Sequence, residues 1–304
     1  MKRVVLLMGG RSAEREVSLV SGRECAAGLA EAGYKVTTVD VRDDLTVVLK
    51  ALNPKPDLVF NALHGRYGED GTIQGVLDWL GIAYTHSGVL ASALAMDKTV
   101  AKRLFESAGL RCPAGQLVHR SAVQAGDVLA RPYVVKPNNE GSSVGVTIVR
   151  QGDNALPFSG IDWPFGDQVL VEPYIPGREL TVGVMGDRPL AVTELRPRQG
   201  FYDYTAKYTE GRTEHLVPAQ LPPAVYEAAL QSALTAHKVL GCRGVSRADF
   251  RYDDSKDNPS GLYLLEVNTQ PGMTPLSLVP EQARYLGISF SELVGWIAEQ
   301  ARCG

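Results

Sequence analysis

The segments VSRADFR (Val245 to Arg251) and LYLLEVN (Leu262 to Asn268) are predicted to form two neighbouring β-strands. In both segments apolar and polar residues alternate with a period of two, which is the pattern of a strand with one face in a core. The residues between them, Asp253 to Gly261, are mostly of the types that form turns. We therefore predict an antiparallel hairpin. Because both strands are rich in apolar residues, we expect neither to lie at the edge of a sheet.

The predicted hairpin brings four polar side chains onto one face. If the chain reverses near roughly position 257, Asp249 lies opposite Glu266, and the pleat places Arg247 and Asn268 on the same face. Carboxylate and amide oxygens suit Mg²⁺, which in proteins commonly bridges substrate phosphates. An arginine beside such a site can stabilise charge on a group in transfer. The alternative is an ordinary solvated polar face, but the apolar character of the strands favours a metal site.

The composition is that of a globular protein. Of 304 residues, 44% are hydrophobic and 21% are charged, and a chain of this length can form two or three domains. The formal net charge is −3. Nucleic acid is therefore not expected as the main partner, because phosphate binding needs a basic surface.

The cysteines and the N-terminal residues predict a cytoplasmic protein. The four cysteines lie far apart without C-x-x-C spacing, which fits free thiols in a reducing compartment better than disulfides or a zinc site. The apolar run Val4 to Met8 is too short for the core of a signal peptide, and no long apolar run follows it. We therefore expect no membrane association.

The first 80 residues or so alternate between predicted strands and helices, which indicates a small parallel α/β unit. Ser18 is the predicted cap of the first helix, which should end at Gly33. The predicted strands are Arg3 to Met8, Lys35 to Val41 and Asp57 to Phe60, and the other predicted helices are Asp43 to Leu52 and Thr72 to Leu80.

The glycine pair Gly9-Gly10 before a helix raises the possibility of a dinucleotide-binding unit. The fingerprint G-x-G-x-x-G is absent, because Arg11 and Ser12 follow the pair, so we do not favour this interpretation. Open α/β sheets nevertheless bind ligands at the carboxyl ends of their strands. Glu14 and His64 both fall at such ends and are candidate site residues.

The middle of the chain is predicted to be richer in strands. A helix should run from Asp97-Lys98 to about Ala108, followed by short strands. These predicted strands are Gly115 to His119, Tyr133 to Lys136, Val144 to Val149 and Val169 to Val171.

Three loops in the middle of the chain have the composition of ligand-binding segments. The loop from Lys136 to Gly145 can offer backbone N–H groups to a phosphate, with the lysine as a point charge. Glu172 to Ile175, with Glu179, could hold a nucleotide base and ribose. The aromatic run Phe201 to Tyr208 lacks a helical or strand period, which favours a loop that covers a ligand.

Taken together, the chain resembles the D-alanine–D-alanine ligases of the ATP-grasp superfamily over essentially its whole length. The two strings most specific to these ligases are Ser12 to Ser18 and Tyr202 to Tyr208. The other supporting strings, in chain order, are Gly9-Gly10-Arg11, Leu63 to Gly71, Met96-Asp97-Lys98, Val135-Lys136-Pro137, Glu140 to Gly145, Arg247-Ala248-Asp249, Glu266 to Thr269 and Pro271 to Thr274.

The resemblance implies an α/β fold that is α+β in part. We expect an N-terminal parallel Rossmann-like domain and two α+β domains of the ATP-grasp fold that clasp ATP between them. The expected domains are residues 1–90, 91–175 and 176–304, with a covering loop at 200–211 in the third.

The resemblance also implies where ATP and metal ions bind. Lys98 and Lys136 are expected on the phosphates, with Lys207 as a further nucleotide-binding residue. The segment Glu172, Pro173, Tyr174 and Ile175 is expected around adenine and ribose, together with Glu179. Asp249, Glu266 and Asn268 are expected to hold two Mg²⁺ or Mn²⁺ ions, and K⁺ is a candidate further ion.

The remaining implied residues act on the two amino-acid substrates. Arg247 and the N–H of Gly272 are expected to form an oxyanion site, and His64 to lie near the first substrate. Glu14 is expected to bind the ammonium group of the first substrate and to be linked to Ser142 and Tyr208. Ser277 and Lys207, with Leu278, are expected at the carboxylate of the second substrate.

The function implied is the ATP-dependent joining of two D-alanine molecules through a D-alanyl phosphate, giving ADP and phosphate, for peptidoglycan precursor synthesis. We expect a cytoplasmic homodimer. Three other functions are the alternatives. A D-alanine–D-lactate ligase is disfavoured by Tyr208 and its string, and another carboxylate–amine ligase by Glu14 and its string. A non-catalytic nucleotide-binding regulator would be expected to lack metal ligands or Arg247, and this chain has both.

Overall fold

The computed structural model describes residues 1–141, 144–153, 157, 163–198, 211–256 and 258–304. The strands in these ranges form a three-stranded parallel sheet, a four-stranded antiparallel sheet and a five-stranded antiparallel sheet. One sheet falls into each of the three predicted domains, whose boundaries remain a prediction. Across the described ranges, none of the helices has both the length and the apolar composition that crossing a bilayer requires.

The N-terminal sheet is parallel, as predicted. Its central strand pairs with one strand on each side, and all four residues of the third strand are buried, as expected for a sheet covered on both faces. The elements of this unit are, in chain order, β1 (Arg3–Gly9), α1 (Arg15–Glu31), β2 (Lys35–Val41), α2 (Leu45–Ala51), β3 (Leu58–Asn61) and α3 (Thr72–Trp79).

The prediction that Ser18 caps the first helix is wrong. The helix begins one turn earlier, with Glu14 at its N-cap, so Ser18 lies inside it. The Ser18 hydroxyl instead accepts a hydrogen bond from the N–H of Gly9 (2.8 Å) and donates one to the carbonyl of Ala62 (2.6 Å). It therefore ties the carboxyl ends of β1 and β3 to α1, and this fixes the position of the neighbouring Glu14.

The middle of the chain contains the four-stranded sheet, with strand order β4-β7-β5-β6. Its last strand begins at Thr147 and not at Val144 as predicted, because Gly145 has a left-handed backbone conformation (φ 72°) that breaks the strand. The elements here are α4 (Val89–Met96), α5 (Lys98–Ser107), β4 (Gln116–His119), α6 (Arg120–Ala125), β5 (Tyr133–Pro137), β6 (Thr147–Val149) and β7 (Gln168–Pro173).

The C-terminal sheet has the strand order β10-β9-β8-β11-β12 and contains the predicted hairpin. The predicted register is confirmed: Asp249 pairs with Glu266, and Arg247 with Asn268. The elements are β8 (Arg178–Met185), β9 (Arg188–Pro197), β10 (Thr213–Leu216), α7 (Pro223–Val239), β11 (Val245–Tyr252), β12 (Leu262–Asn268), α8 (Leu278–Tyr285) and α9 (Phe290–Glu299).

The expectation that both hairpin strands lie inside the sheet is half wrong, because β12 is an edge strand. Its edge is covered: the N–H of Leu264 donates to the carbonyl of Arg111 (2.8 Å), which lies in the segment before β4. Apolar residues of β12 pack with α5 and α7 in the largest core cluster. An edge strand protected in this way can be as apolar as an interior one.

Two packing relationships bring the three sheets to one cleft. Residues of α5 pack on the C-terminal sheet, so the N-terminus of this helix points toward the hairpin. The C-terminal helix α9 packs on α1, and one apolar cluster joins the N-terminal sheet to α8 and α9. The carboxyl ends of β1 and β3 therefore face the polar side of β11 and β12.

Candidate active site

Two adjoining cavities lie where the three sheets meet. We call the first, of about 70 Å³, the polar cavity, and the second, of about 90 Å³, the apolar cavity. The polar cavity is lined by eleven of the predicted site residues: Glu14, His64, Lys98, Glu179, Arg247, Asp249, Glu266, Asn268, Gly272, Ser277 and Leu278. The apolar cavity is lined by Lys98, Lys136, Asp249, Glu266 and the run Glu172 to Ile175 with Glu179.

The two facing carboxylates of the hairpin each bind a basic side chain. Asp249 accepts two hydrogen bonds from Arg247, at 2.8 Å from Nε and 2.7 Å from Nη2, and a third from the Thr181 hydroxyl at 2.7 Å. Glu266 lies 3.1 Å from the ammonium group of Lys98. This face of the hairpin therefore carries two kinds of group. Its carboxylates can bind a metal ion, and the basic side chains beside them can bind phosphate oxygens.

The donor set fits Mg²⁺ by its chemistry. The side chains of Asp249, Glu266 and Asn268 supply hard oxygen ligands from one face of the sheet. The described residues contain no group of three or more His, Cys, Asp or Glu side chains arranged to hold a metal ion. A site with two carboxylates and one amide therefore needs further oxygens, and Mg²⁺ usually takes these from phosphate and water.

A buried ion-pair triad lies at the floor of the apolar cavity. The Glu172 carboxylate binds the ammonium group of Lys136 at 2.8 Å and also that of Lys102, and all three side chains are buried. The two lysines hold the pKa of Glu172 below its ordinary value against the effect of burial. Burial lowers the pKa of Lys102, whereas Glu172 and Glu266 raise the pKa of Lys136 in spite of burial. Lys136 is therefore positively charged and held in a fixed position.

Lys102 is a residue that our sequence analysis missed. It lies one helical turn after Lys98 on α5, so both lysines project from the same face of the helix toward the cleft. Its ammonium group also donates to the carbonyl of Pro113. The spacing Lys98-x-x-x-Lys102, starting at a helix N-terminus, was the signal that could have indicated it.

Three buried titratable side chains form the N-terminal wall of the polar cavity. Glu14, His64 and Glu69 are each less than a tenth exposed. Burial lowers the pKa of His64, although the nearby Glu14 acts in the opposite direction. Burial, and next the proximity of Glu14, raise the pKa of Glu69 well above its ordinary value. The wall therefore combines a neutral imidazole with a carboxyl group that resists ionisation.

Glu69 was not among the predicted site residues, although it belongs to the string Leu63 to Gly71 that carried the resemblance. One carboxylate oxygen lies 4.0 Å from Nδ1 of His64, and Ser21 lies 3.3 Å from the other ring nitrogen. Within the described ranges, the Glu69 Oε2 atom has no hydrogen-bond partner. An acidic residue in a turn gives no sign of burial in the sequence, because its burial arises only once the chain has folded.

Gln270 is a third residue whose role the sequence did not reveal. Its buried side chain accepts a hydrogen bond from Asn61 at 2.9 Å and donates to the carbonyl of Leu63. Its own N–H donates to the side chain of Asn268 at 2.7 Å. Gln270 thus joins the end of β3 to the end of β12 and orients one of the predicted metal ligands.

The segment after β12 forms the remaining wall of the polar cavity. The Ser277 hydroxyl accepts a hydrogen bond from the N–H of Thr274 at 2.8 Å. A side chain at Gly272 would meet this hydroxyl at 3.0 Å, so the small residue allows the close approach. Leu278 is buried against Leu195. Three predicted site residues, Ser142, Lys207 and Tyr208, lie outside the described residues, as does most of the predicted covering loop 200–211.

Comparison with known families matches two models. The model described as "D-ala D-ala ligase C-terminus" matches residues 106–299, and the one described as "D-ala D-ala ligase N-terminus" matches residues 46–87. The first of these alone covers more than half of the chain.

Similar proteins and structures agree with these matches. The chain is 57% identical over 303 residues to a D-alanine–D-alanine ligase of Granulibacter bethesdensis, covering 100% of this chain and 99% of that one. It is 58% identical over 306 residues to a ligase of the same name from Paramagnetospirillum magneticum, covering 99% of each. The crystal structure of the Bacillus anthracis D-alanine–D-alanine ligase has a TM-score of 0.83 at 34% identity, and its ATP complex 0.82 at 31% identity. Each comparison covers 99% of this chain and 97% of the other.

Proposed function

The chain belongs to the D-alanine–D-alanine ligase family and has the ATP-grasp fold, so it is an ATP-dependent ligase that joins two D-alanine molecules, and we propose that the two cavities described above carry out this reaction. ATP is one substrate. The nucleotide occupies the apolar cavity, with its phosphates toward Lys98 and Lys136, and the amino acids occupy the polar cavity. The single observation that carries the proposal is that Asp249 and Glu266 lie on the wall shared by the two cavities.

The first chemical step joins a carboxylate to the γ-phosphate of ATP. The carboxylate oxygen of the first D-alanine attacks phosphorus, the bond to the β-phosphate oxygen breaks, and D-alanyl phosphate and ADP result. Both reactants are negatively charged, so their approach requires nearby cations. Lys98, Lys136 and Arg247 supply three positive charges around the shared wall.

The second step forms the peptide bond. The neutral amine of the second D-alanine attacks the acyl carbon, phosphate leaves from the tetrahedral intermediate, and the proton that the nitrogen loses balances the leaving group as hydrogen phosphate. Arg247 and the N–H of Gly272 stabilise the developing oxyanion, and both line the polar cavity. Acyl phosphates hydrolyse readily, which gives a covering loop at 200–211 the task of excluding water.

The buried N-terminal wall selects the first substrate. Glu14 binds its ammonium group, and His64 lies beside it; Ser142 and Tyr208 complete this unit. Ser277, Lys207 and Leu278 bind the second substrate's carboxylate. The low exposure of Glu14 and His64 supports this role, because a buried carboxylate distinguishes an ammonium group strongly from a neutral group.

Asp249, Glu266 and Asn268 would hold two Mg²⁺ or Mn²⁺ ions. When bound, these ions would supply positive charge that neutralises the phosphate groups. The three side chains contribute hard oxygens from one face, which supports the assignment. K⁺ is proposed as an additional activating ion.

The setting of the reaction is proposed from the family. The dipeptide product would enter peptidoglycan synthesis, and the enzyme would act in the cytoplasm as a homodimer. Trp79 at the end of α3 is 91% exposed and Leu90 in the adjacent α4 is 70% exposed. Large exposed apolar side chains are frequent in subunit interfaces, and this supports a second copy of the chain as the partner.

One experiment tests the function directly. Purified protein is incubated with ATP, Mg²⁺ and either D-alanine, L-alanine, or D-alanine mixed with D-lactate, and released ADP and the products are measured. We expect ADP release that depends on D-alanine and a dipeptide as the main product. ADP release without dipeptide formation would contradict the proposal, and a dominant ester product would identify a D-alanine–D-lactate ligase instead.

A further inference from the structure

One arginine outside the predicted site connects several parts of the nucleotide-binding wall. Arg251 lies on β11 and donates hydrogen bonds to the carbonyls of Ile175 (3.1 Å from Nε) and Gly177 (2.8 Å from Nη2). It also lies 3.5 Å from the carboxylate of Glu179, and its Nη2 atom is 3.3 Å from the hydroxyl of Tyr174. A single guanidinium group therefore contacts three residues of the segment between β7 and β8 and one residue of β8.

The position of Arg251 follows from the strand geometry. Alternate residues of β11 point to the same face, so Arg251 continues the row that begins with Arg247 and Asp249. In the antiparallel pairing of β11 with β8, Arg251 lies directly opposite Glu179. The row thus runs from the proposed acyl-transfer end, past the metal ligand, to the proposed nucleotide end of the cleft.

The segment that Arg251 contacts is fixed from two sides. The N–H of Tyr174 donates to the carbonyl of Pro132 at 3.1 Å, whereas Arg251 holds the carbonyls of the next residues. The guanidinium also lies 5.5 Å from the centre of the Tyr174 ring, within the range of a cation–π interaction. Both the backbone and the aromatic ring that line the apolar cavity are therefore held in place by this one side chain.

We propose that Arg251 is a positioning residue for the nucleotide: it holds the segment Tyr174 to Gly177 and the Glu179 carboxylate in the conformation that binds the base and ribose. The inference rests on the proposed function of the apolar cavity. Arg251 acts before chemistry, by preorganising a binding wall, and its removal lowers affinity for the nucleotide because the free segment must then be ordered on binding.

The planar fork of arginine explains why this residue type is used. The acceptors lie in different directions around the guanidinium group, and its five N–H donors can reach them together. A lysine has a single ammonium group and would reach only part of the set. Arg251→Lys should therefore hold the segment Tyr174 to Gly177 and the Glu179 carboxylate only in part.

Binding of ADP in the presence of Mg²⁺ and without D-alanine is the first measurement, made by calorimetry on the full chain. Arg251→Met keeps much of the side-chain volume, Arg251→Lys keeps the charge, and Arg196→Met is the matched control. Arg196 pairs with Glu194 and lies near the same end of the cleft, but no hydrogen bond or ion pair joins it to residues 174–179 within the described ranges. Loss of charged hydrogen bonds should weaken ADP binding about 10- to 100-fold in Arg251→Met and less in Arg251→Lys.

Steady-state kinetics separates positioning from a general structural effect. We expect KM for ATP to rise in Arg251→Met, with kcat at saturating ATP and KM for D-alanine within about twofold of the wild type. ADP affinity within about twofold of the wild type, or an equal loss in the Arg196→Met control, would overturn the proposal. If Arg251→Met does not fold, ADP affinity and KM for ATP are compared between Arg251→Lys, the wild type and Arg196→Met. ADP binding does not depend on which amino acids are joined. A negative result for Arg251 is therefore distinct from a negative result for the proposed ligase activity.

Discussion

Asp249 lies directly across from Glu266 in the pairing of β11 with β12, and the register of the two strands shifts immediately after this pair. Phe250 pairs with Leu264, so Leu265 is an extra residue in β12. A bulge of this kind turns the extra side chain, and Leu265 and Glu266 consequently both line the apolar cavity although they are consecutive. The irregularity thus gives the same short stretch a proposed metal-binding carboxylate and an apolar side chain toward the proposed nucleotide cavity.

We expect Asp249→Asn and Glu266→Gln each to abolish ligation and to leave the fold intact. Each change removes one negative charge from a site proposed to hold divalent cations, and Mg²⁺ tolerates a poor ligand set badly. The measurement is dipeptide formation over a range of Mg²⁺ concentrations. Asp254→Asn is the control, because this exposed aspartate lies in the connection of the same hairpin. Near-normal turnover of both variants at ordinary Mg²⁺ would show that the metal ligands are wrongly assigned.

Arg247→Ala should reduce kcat by about a hundred- to a thousandfold, the usual effect of removing one oxyanion donor. Arg247→Lys keeps the charge but loses the planar fork, so its defect should also fall on kcat. Arg111→Lys, at an arginine whose Nη1 donates to the carbonyl of Ser260 away from the cleft, provides the control. An effect confined to KM for ATP would instead make Arg247 a residue that binds the ground state.

Lys102→Met should lower the free energy of unfolding by about 3–5 kcal/mol, because it leaves the buried Glu172 with one cation in place of two. Urea unfolding at neutral pH measures this change. The neighbouring Arg103 is exposed, so Arg103→Met should alter the free energy of unfolding by less than about 0.5 kcal/mol. Equal effects of the two substitutions would mean that the triad contributes nothing specific.

Glu69→Gln should stabilise the protein at pH 8, by an amount on the order of 1–3 kcal/mol, and should not stabilise it at pH 4. The pKa of Glu69 is raised in the folded state, so the folded protein holds a proton that the unfolded chain releases. The free energy of unfolding of the wild type therefore falls as the pH rises from the ordinary carboxyl pKa through the raised pKa that Glu69 has in the folded protein. Unfolding free energies of both proteins at several pH values test this, and a pH-independent difference would contradict it.

Trp79→Glu combined with Leu90→Glu should convert the proposed homodimer to a monomer. Placing a charge in an apolar interface leaves it desolvated and unpaired, which typically costs several kcal/mol. Light scattering after size-exclusion chromatography gives the mass. Leu117→Glu is the control, because Leu117 is an exposed leucine on β4 of the four-stranded sheet, outside α3 and α4. A dimer that survives the double change would exclude this surface as the interface.

Much of the fold could be predicted because its patterns are local. The parallel strands at the N-terminus and the hairpin register follow from residue alternation and turn composition, which act over a few residues. The cap of α1 was misassigned because Ser18 has the right residue type for a cap. Its actual partners, Gly9 and Ala62, come from strands that only the folded chain brings near.

The proposed metal ligands and the two lysines proposed at the phosphates could be predicted from the sequence, because each stands within a short motif whose spacing is itself the signal. Glu69, Gln270 and Arg251 could not, because an isolated polar residue does not reveal whether it is buried or what it contacts, and Lys102 was indicated only by its spacing from Lys98. Their roles arise from packing between distant segments: α5 on the C-terminal sheet, β3 against the end of β12, and β11 beside the segment after β7. The sequence alone thus determined which chemistry the chain carries, whereas the tertiary structure decided which buried side chains hold that chemistry in place, since burial and long-range hydrogen bonding exist only once the segments have met.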